Sequence, residues 1–230
     1  LRGTRKVCRY TEGVKIQEIK PPRAPKRINR FADELPLEIL EDDTTYSNVE
    51  LADREYSRCE ARRVVFTRCL FEDVKFANSE LPEIELTDFD CKNCDYANAD
   101  WHKAILQRAA FDGCRMIGWN ASEAHAGSTL WRECNLSLAH FRFATFKNAR
   151  FENCNLRGTD FQEADLRGVV FQNCDLQDAQ MSFCKLENTD FRGSDILGLQ
   201  VTIENLKGAI VEPFQAAYFA GLMGLQVKWE

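Results

Sequence analysis

The sequence predicts a solenoid. Three regularities carry that prediction: bulky apolar residues five apart, small residues at the same spacing, and an order at twenty residues laid over both. Every fifth residue from Leu51 to Leu206 is bulky and apolar at 28 of 32 positions, the exceptions being Ala61, Cys91, Ala121 and Ala126. Ten of the 16 Phe lie on this register, and it never slips. A period of five fits neither the 3.6-residue turn of an α-helix nor the two-residue alternation of a strand. One such unit cannot bury its own apolar side; only stacking on neighbours does so.

Two residues before each bulky position the chain turns small, as at Cys94, Ala99, Ala104, Cys114, Ala139, Ala144, Cys154, Thr159 and Ala164. Between the two sits a polar residue, often Asp or Asn. Ala164-Asp165-Leu166-Arg167-Gly168 and Cys174-Asp175-Leu176-Gln177-Asp178 state the unit cleanly. This pattern resembles the A-(D/N)-L-x-x of the pentapeptide-repeat proteins over roughly residues 51–206. The resemblance implies an all-β fold, a right-handed quadrilateral β-helix with four pentapeptides per coil. Phe and Leu would fill the axis, the small residue would let the corner turn tightly, and the other three positions would face water. Units grouped by four give about eight coils, and at ~4.8 Å per coil a tube about 38 Å long.

Four units per coil require order at twenty residues, and the cysteines supply it. Cys94, Cys114, Cys134, Cys154 and Cys174 fall twenty apart, as do Phe71, Cys91, Phe111, Trp131, Phe151, Phe171 and Phe191. Two places strain the pattern. Residues 117–130 put Ala121 and Ala126 at bulky positions and Trp119 at a small one, so an irregular coil or compact loop is expected there. Pro82 lacks a backbone donor and belongs at a corner.

The ends divide the chain further. Residues 1–30 hold ten Lys/Arg against Glu12 and Glu18 and read as a basic extension, with 20–27 an extended linker. Residues 31–50 hold seven acids and no base and read as an acidic linker and N-terminal cap, with Leu35, Leu37, Ile39 and Leu40 covering the first coil. The opposed blocks neutralise each other in space, or the basic tail finds an acidic partner. The β-helix occupies 51–206. Residues 207–230 form the C-terminal cap, with a helix over 212–223 that starts at Pro213 and stops at Gly224. Phe214, Tyr218, Phe219 and Leu222 share its apolar face, and with Met223 they exceed what one coil end needs, which suggests a homodimer through this helix.

Candidate chemistry is sparse. Cys91-Lys92-Asn93-Cys94 is a C-x-x-C, but both residues fall on inward positions, as does the small slot that holds eight of the ten Cys; core packing is expected rather than zinc or redox chemistry. His102 and His140 face outward without a partnering motif. No phosphate-binding, dinucleotide, serine-hydrolase or metalloprotease motif occurs. The expectation is therefore no catalytic residue, no metal and no cofactor. No apolar run is long enough to span a membrane, and the start of the sequence has no apolar signal core, so a cytoplasmic protein is expected.

What remains is the surface of a rod. Asp95, Asp175 and Asp195 recur on one outward column with Asn135 and Asn155 between, and Asp100 and Asp160 on the next. Such corners simply favour Asp and Asn, or these acids form a partner-binding face. The resemblance adds a specific version of the second reading. Quinolone-resistance members of the family imitate duplex DNA, bind DNA gyrase or topoisomerase IV, and dimerise through C-terminal helices. The expected function is thus a non-catalytic protein-interaction rod. The alternative is a DNA-mimicking binder of a type II topoisomerase, itself not binding nucleic acid directly. A continuous negative stripe along the rod would favour the alternative.

Overall fold

The computed structural model describes residues 40–228. The basic extension 1–30 and residues 31–39 of the acidic segment, with Leu35, Leu37 and Ile39, lie outside the described residues. From Thr45 the chain winds as a right-handed quadrilateral β-helix of about eight coils. Each coil pairs in parallel with the next at a register of twenty, giving four columns. One runs Thr45, Val65, Glu85, Ile105, His125, Thr145, and the next Glu50, Leu70, Asp90, Ala110, Leu130, Arg150, Val170. The other two faces are joined by single bridges: Glu55 through Asp95 and Arg115 to Asp195, and Glu60 through Asp100 and His140 to Gln180. The stack opens at Tyr46, one unit before Leu51, because Tyr46 lies on Phe66 with ring centroids 5.2 Å apart.

Corners set the backbone. The second residue after each bulky position is left-handed, with φ between 51° and 62° at 26 non-glycine residues. On the two bridged faces the turn is closed by a bond from the next small residue, as where Ala139 N–H donates to Leu136 O at 3.1 Å. These bonds and φ signs are those of type II turns. Pro82 sits at such a corner, as expected. At corners such as His102 and Gln162 the N–H at that turn position is accepted by an Asp two residues earlier; at this corner the earlier residue is Glu80 and Pro82 has no N–H to satisfy.

The axis is a column of stacked rings. Phe111, Trp131, Phe151, Phe171 and Phe191 succeed one another at 5.7, 4.5, 5.2 and 5.6 Å, each pair within 12° of parallel. The small slot does more than make room. Cys134, Cys154 and Cys174 donate Sγ–H to the carbonyls of Phe111, Trp131 and Phe151, one coil below, and Thr159 and Thr189 donate Oγ1–H to Leu136 and Leu166 at 2.9 and 2.8 Å. At these slots, and at Ser194, which donates Oγ–H to Phe171 O at 3.0 Å, the side chain ties a coil to the main chain of the one before it, which Ala cannot do; Ser79 and Thr129 make no such bond.

Residues 117–130 correct the sequence reading. They form no irregular loop: His125–Gly127 pairs with both neighbouring coils, Leu130–Arg132 does the same, and Asn120 bridges Asp100 and His140. The reason is volume. Trp119, fully buried in the small slot, packs on Trp101, Phe111 and Phe141 and fills the axis that Ala121 and Ala126 leave open. Phe89 does the same for Cys91, meeting Phe71 at 4.8 Å.

The chain ends on helix α1, Pro213–Leu222. Glu212 and Gln215 form a capping box, and Gln215 Nε2 donates to Phe191 O and Ser194 O of the last coil at 2.7 and 2.8 Å.

Candidate interaction surface

The five acids singled out by the sequence all have a role in the fold. Asp95, Asp100, Asp160, Asp175 and Asp195 each accept, through Oδ1, the backbone N–H two residues on, at 2.9–3.1 Å. Asn120, Asn135 and Asn155 do the same. This is the Asx turn, in which a short side chain satisfies a donor that the corner leaves unpaired. Asn serves equally, so the corner selects the acceptor and not the charge.

Nor do the acids form one stripe. Asp95, Asp175 and Asp195 share a column, but its members run Glu55, Lys75, Asp95, Arg115, Asn135, Asn155, Asp175, Asp195. Lys75 pairs with Glu55 at 3.4 Å, Arg115 with Asp95 at 3.0 Å, and Arg157 reaches Asp175 at 3.4 Å. The neighbouring column is more acidic: Glu60, Glu80 and Asp100 follow one another in successive coils, and Asp160 lies further up beyond Asn120 and His140. Elsewhere charges alternate across coils, as where Arg132 lies between Asp112 and Glu152.

The thiols are packed inward. All nine described cysteines are free, and eight are buried. Burial pushes the Cys184 thiol up to about 12 and the half-buried Cys59 to about 11. Cys91 Sγ lies 3.6 Å from Cys114 Sγ. Among the described residues no three His, Cys, Asp or Glu are grouped to hold a metal ion, and no helix is long and apolar enough to cross a membrane.

Helix α1 divides the apolar set expected to mediate a dimer. Phe219 is buried against the last coil, and Tyr218 is half-buried with its hydroxyl accepting Gly198 N–H at 2.9 Å. These two cover the chain's own end, so a partner would meet Phe214, Leu222 and Met223, which are exposed. The sequence reading missed Gln215 as the anchoring residue; its signal was the Glu212-Pro213-Phe214-Gln215 capping box.

It also missed a second exposed set. Leu138, Phe143 and Phe183 occupy left-handed corners at φ 58°, 59° and 62° and are 60%, 50% and 67% exposed. A left-handed backbone costs an L-residue roughly 1–2 kcal/mol, and every other non-glycine residue at these corners is polar or charged. With Leu197 they flank one face in the upper four coils. Their signal is a bulky apolar residue at the repeat's last position.

The family comparison agrees with this repeat. Residues 127–201 match the family model described as pentapeptide repeat region. Those residues are a pentapeptide-repeat region, and the coils before them keep its twenty-residue register. A trypsin-treated variant of QnrB1, a plasmid-mediated fluoroquinolone resistance protein, is 18% identical over 80% of this chain and 100% of its own, with a TM-score of 0.37. HetL from the cyanobacterium Nostoc sp., a pentapeptide repeat protein involved in heterocyst differentiation regulation, is 17% identical over 74% of this chain and 87% of its own, with a TM-score of 0.39. No curated protein matches the chain.

Proposed function

We propose that the chain is a non-catalytic interaction rod that engages a protein partner along its side faces. One observation carries this reading: the groups capable of chemistry are turned to structure. The thiols point into the axis and bond to carbonyls, and the outward acids accept turn N–H groups or pair with bases across coils. What the rod offers a partner is a set of flat faces on a rigid core. Cross-linking mass spectrometry on a native complex tests it: cross-links should fall on the side faces of 51–206, and cross-links confined to other residues would overturn it. Free thiols throughout the described cysteines suit a reducing, cytoplasmic compartment. Dimerisation through exposed Phe214, Leu222 and Met223 is part of the proposal; light scattering should give twice the 26.4 kDa chain mass, and a monomer would remove it.

The topoisomerase reading stands second. It draws on the outward acids Asp95, Asp100, Asp160, Asp175 and Asp195, with Glu60 and Glu80 extending the Asp100 column, although Lys75 and Arg115 interrupt the Asp95 column. Replacing Asp95, Asp100, Asp160, Asp175 and Asp195 together by Asn keeps every turn acceptor and removes the charge. If mimicry operates, wild-type protein alters gyrase supercoiling or its quinolone sensitivity and the five-fold variant does not. An unchanged assay with wild type removes this reading.

A further inference from the structure

We propose that the face flanked by Leu138, Phe143, Phe183 and Leu197 docks a basic amphipathic helix of a protein partner, laid along the rod axis. The helix would set two apolar side chains seven residues apart on Phe143 and Phe183, with a Lys or Arg between them on Glu163. The proposal rests on the interaction-rod reading and names the chemistry of its partner.

Position is the first argument. Among the described residues outside the C-terminal cap, five large apolar residues are exposed; all but Ile105 lie on the two corners of this face, in the upper four coils. Three of those four stand on left-handed backbone that Asn or Asp would occupy with less strain. These side chains fill no part of the tube's core; the Phe143 ring meets the Arg142 guanidinium, 5.9 Å from its centroid, a cation–π contact that a partner's apolar side chain would join, and retained strain of this kind marks a binding position. Gly158, stacked over Leu138, leaves that side chain its room: a Cβ at Gly158 would stand 3.0 Å from Leu138 Cδ2.

Charge is the second. Up the corner the column reads Glu123, Phe143, Glu163, Phe183, and Glu163 is exposed with no ion pair among the described residues. The floor between the corners is His140, Asp160, Gln180 and Gln200, of which Asp160 is engaged by Arg142 at 3.7 Å. A cation between two apolar contacts complements this order; an acidic or uncharged segment does not.

Spacing selects a helix. Phe143 and Phe183 are two coils apart, about 10 Å, and seven residues of α-helix rise about 10 Å. Area argues against a second copy of the rod. Three coils and one helix width give a strip on the order of 150 Å², well short of the ~800 Å² per partner of a stable interface. A short helix bound with modest affinity matches it.

The test uses the full chain and a fluorescein-labelled helical peptide with Leu at i and i+7, Lys at i+3 and i+4, and Ala and Glu elsewhere, followed by fluorescence anisotropy. Wild type should bind saturably. Phe143→Asn with Phe183→Asn should weaken binding about tenfold or more without lowering the unfolding temperature, because Asn accepts the left-handed corner. Glu163→Gln, which leaves the corner backbone alone, should weaken it severalfold, and a peptide with Glu in place of Lys should bind no better than to the double variant. Equal binding by wild type and the double variant, or no saturable binding, overturns the proposal. So does self-association in sedimentation that the double variant abolishes, which would make a second copy the occupant. Carbodiimide cross-links from Glu163 to lysines of residues 1–30 also overturn it, making the chain's own extension the occupant. Native-complex cross-links on another face separate these failures from failure of the rod itself.

Discussion

Two stretches of the same tube fill their axis by opposite means. From Trp131 to Phe191 the bulky slot of one column is aromatic in each coil, and the small slots hold Cys134, Cys154 and Cys174. From Leu86 to Ala126 the arrangement is inverted in places: Cys91, Ala121 and Ala126 occupy bulky slots, and Phe89 and Trp119 have moved into small ones. Both stretches keep the twenty-residue register. The difference teaches that the tube fixes the volume of each layer and leaves open which slot supplies it, as close packing requires.

The sharpest way to break that comparison is to remove the displaced ring. Trp119→Ala should destabilise by roughly 3–5 kcal/mol, as much as Phe171→Ala in the regular stretch, while exposed Gln172→Ala stays within about 0.5 kcal/mol. Denaturant titration reads all three. Adding Ala121→Phe to Trp119→Ala returns the ring to its usual slot and should recover part of the loss; a further loss would show that Trp119 is more than volume.

A smaller effect tests the ties between coils. Thr159→Val keeps the shape and deletes the donor to Leu136 O. That carbonyl still accepts Ala139 N–H at 3.1 Å, so the expected loss is about 1 kcal/mol. No loss would mean that hydroxyl and thiol donors in the small slot are incidental.

The smallest effect is electrostatic. The Arg167 guanidinium hydrogen-bonded to Asp165 holds that carboxyl below its ordinary range. A depressed folded pKa contributes stability that is present above the unfolded value and lost as pH falls through the folded one. Asp165→Asn keeps the turn acceptor, should cost at most about 0.5–1 kcal/mol near neutral pH, and should remove that part of the acid-induced loss below about pH 4.

The sequence was legible wherever one slot equalled one role. Period five fixed the buried register, and period twenty fixed the columns, because stacking makes both visible along the chain. Residues 117–130 were misread for the same reason: compensation between Trp119 and Ala121 acts across the tube, where a linear pattern shows only two breaches. The site was less legible. Asp95 and its fellows stood out as surface acids, although their Oδ1 atoms close turns, and Asn at equivalent positions already hinted that charge was secondary. Gln215 was hidden behind the apolar residues around it. Leu138, Phe143 and Phe183 were hidden because their meaning depends on φ, which composition does not display.

Backbone amide hydrogen exchange over residues 117–130, set beside residues 137–150 in the regular stretch, tests the central claim most directly. If Trp119 repairs its layer, the inter-coil donors His125 and Asn120 should exchange as slowly as their counterparts Thr145 and His140. Faster exchange confined to 117–130 would contradict the account and restore a loop in the middle of the rod.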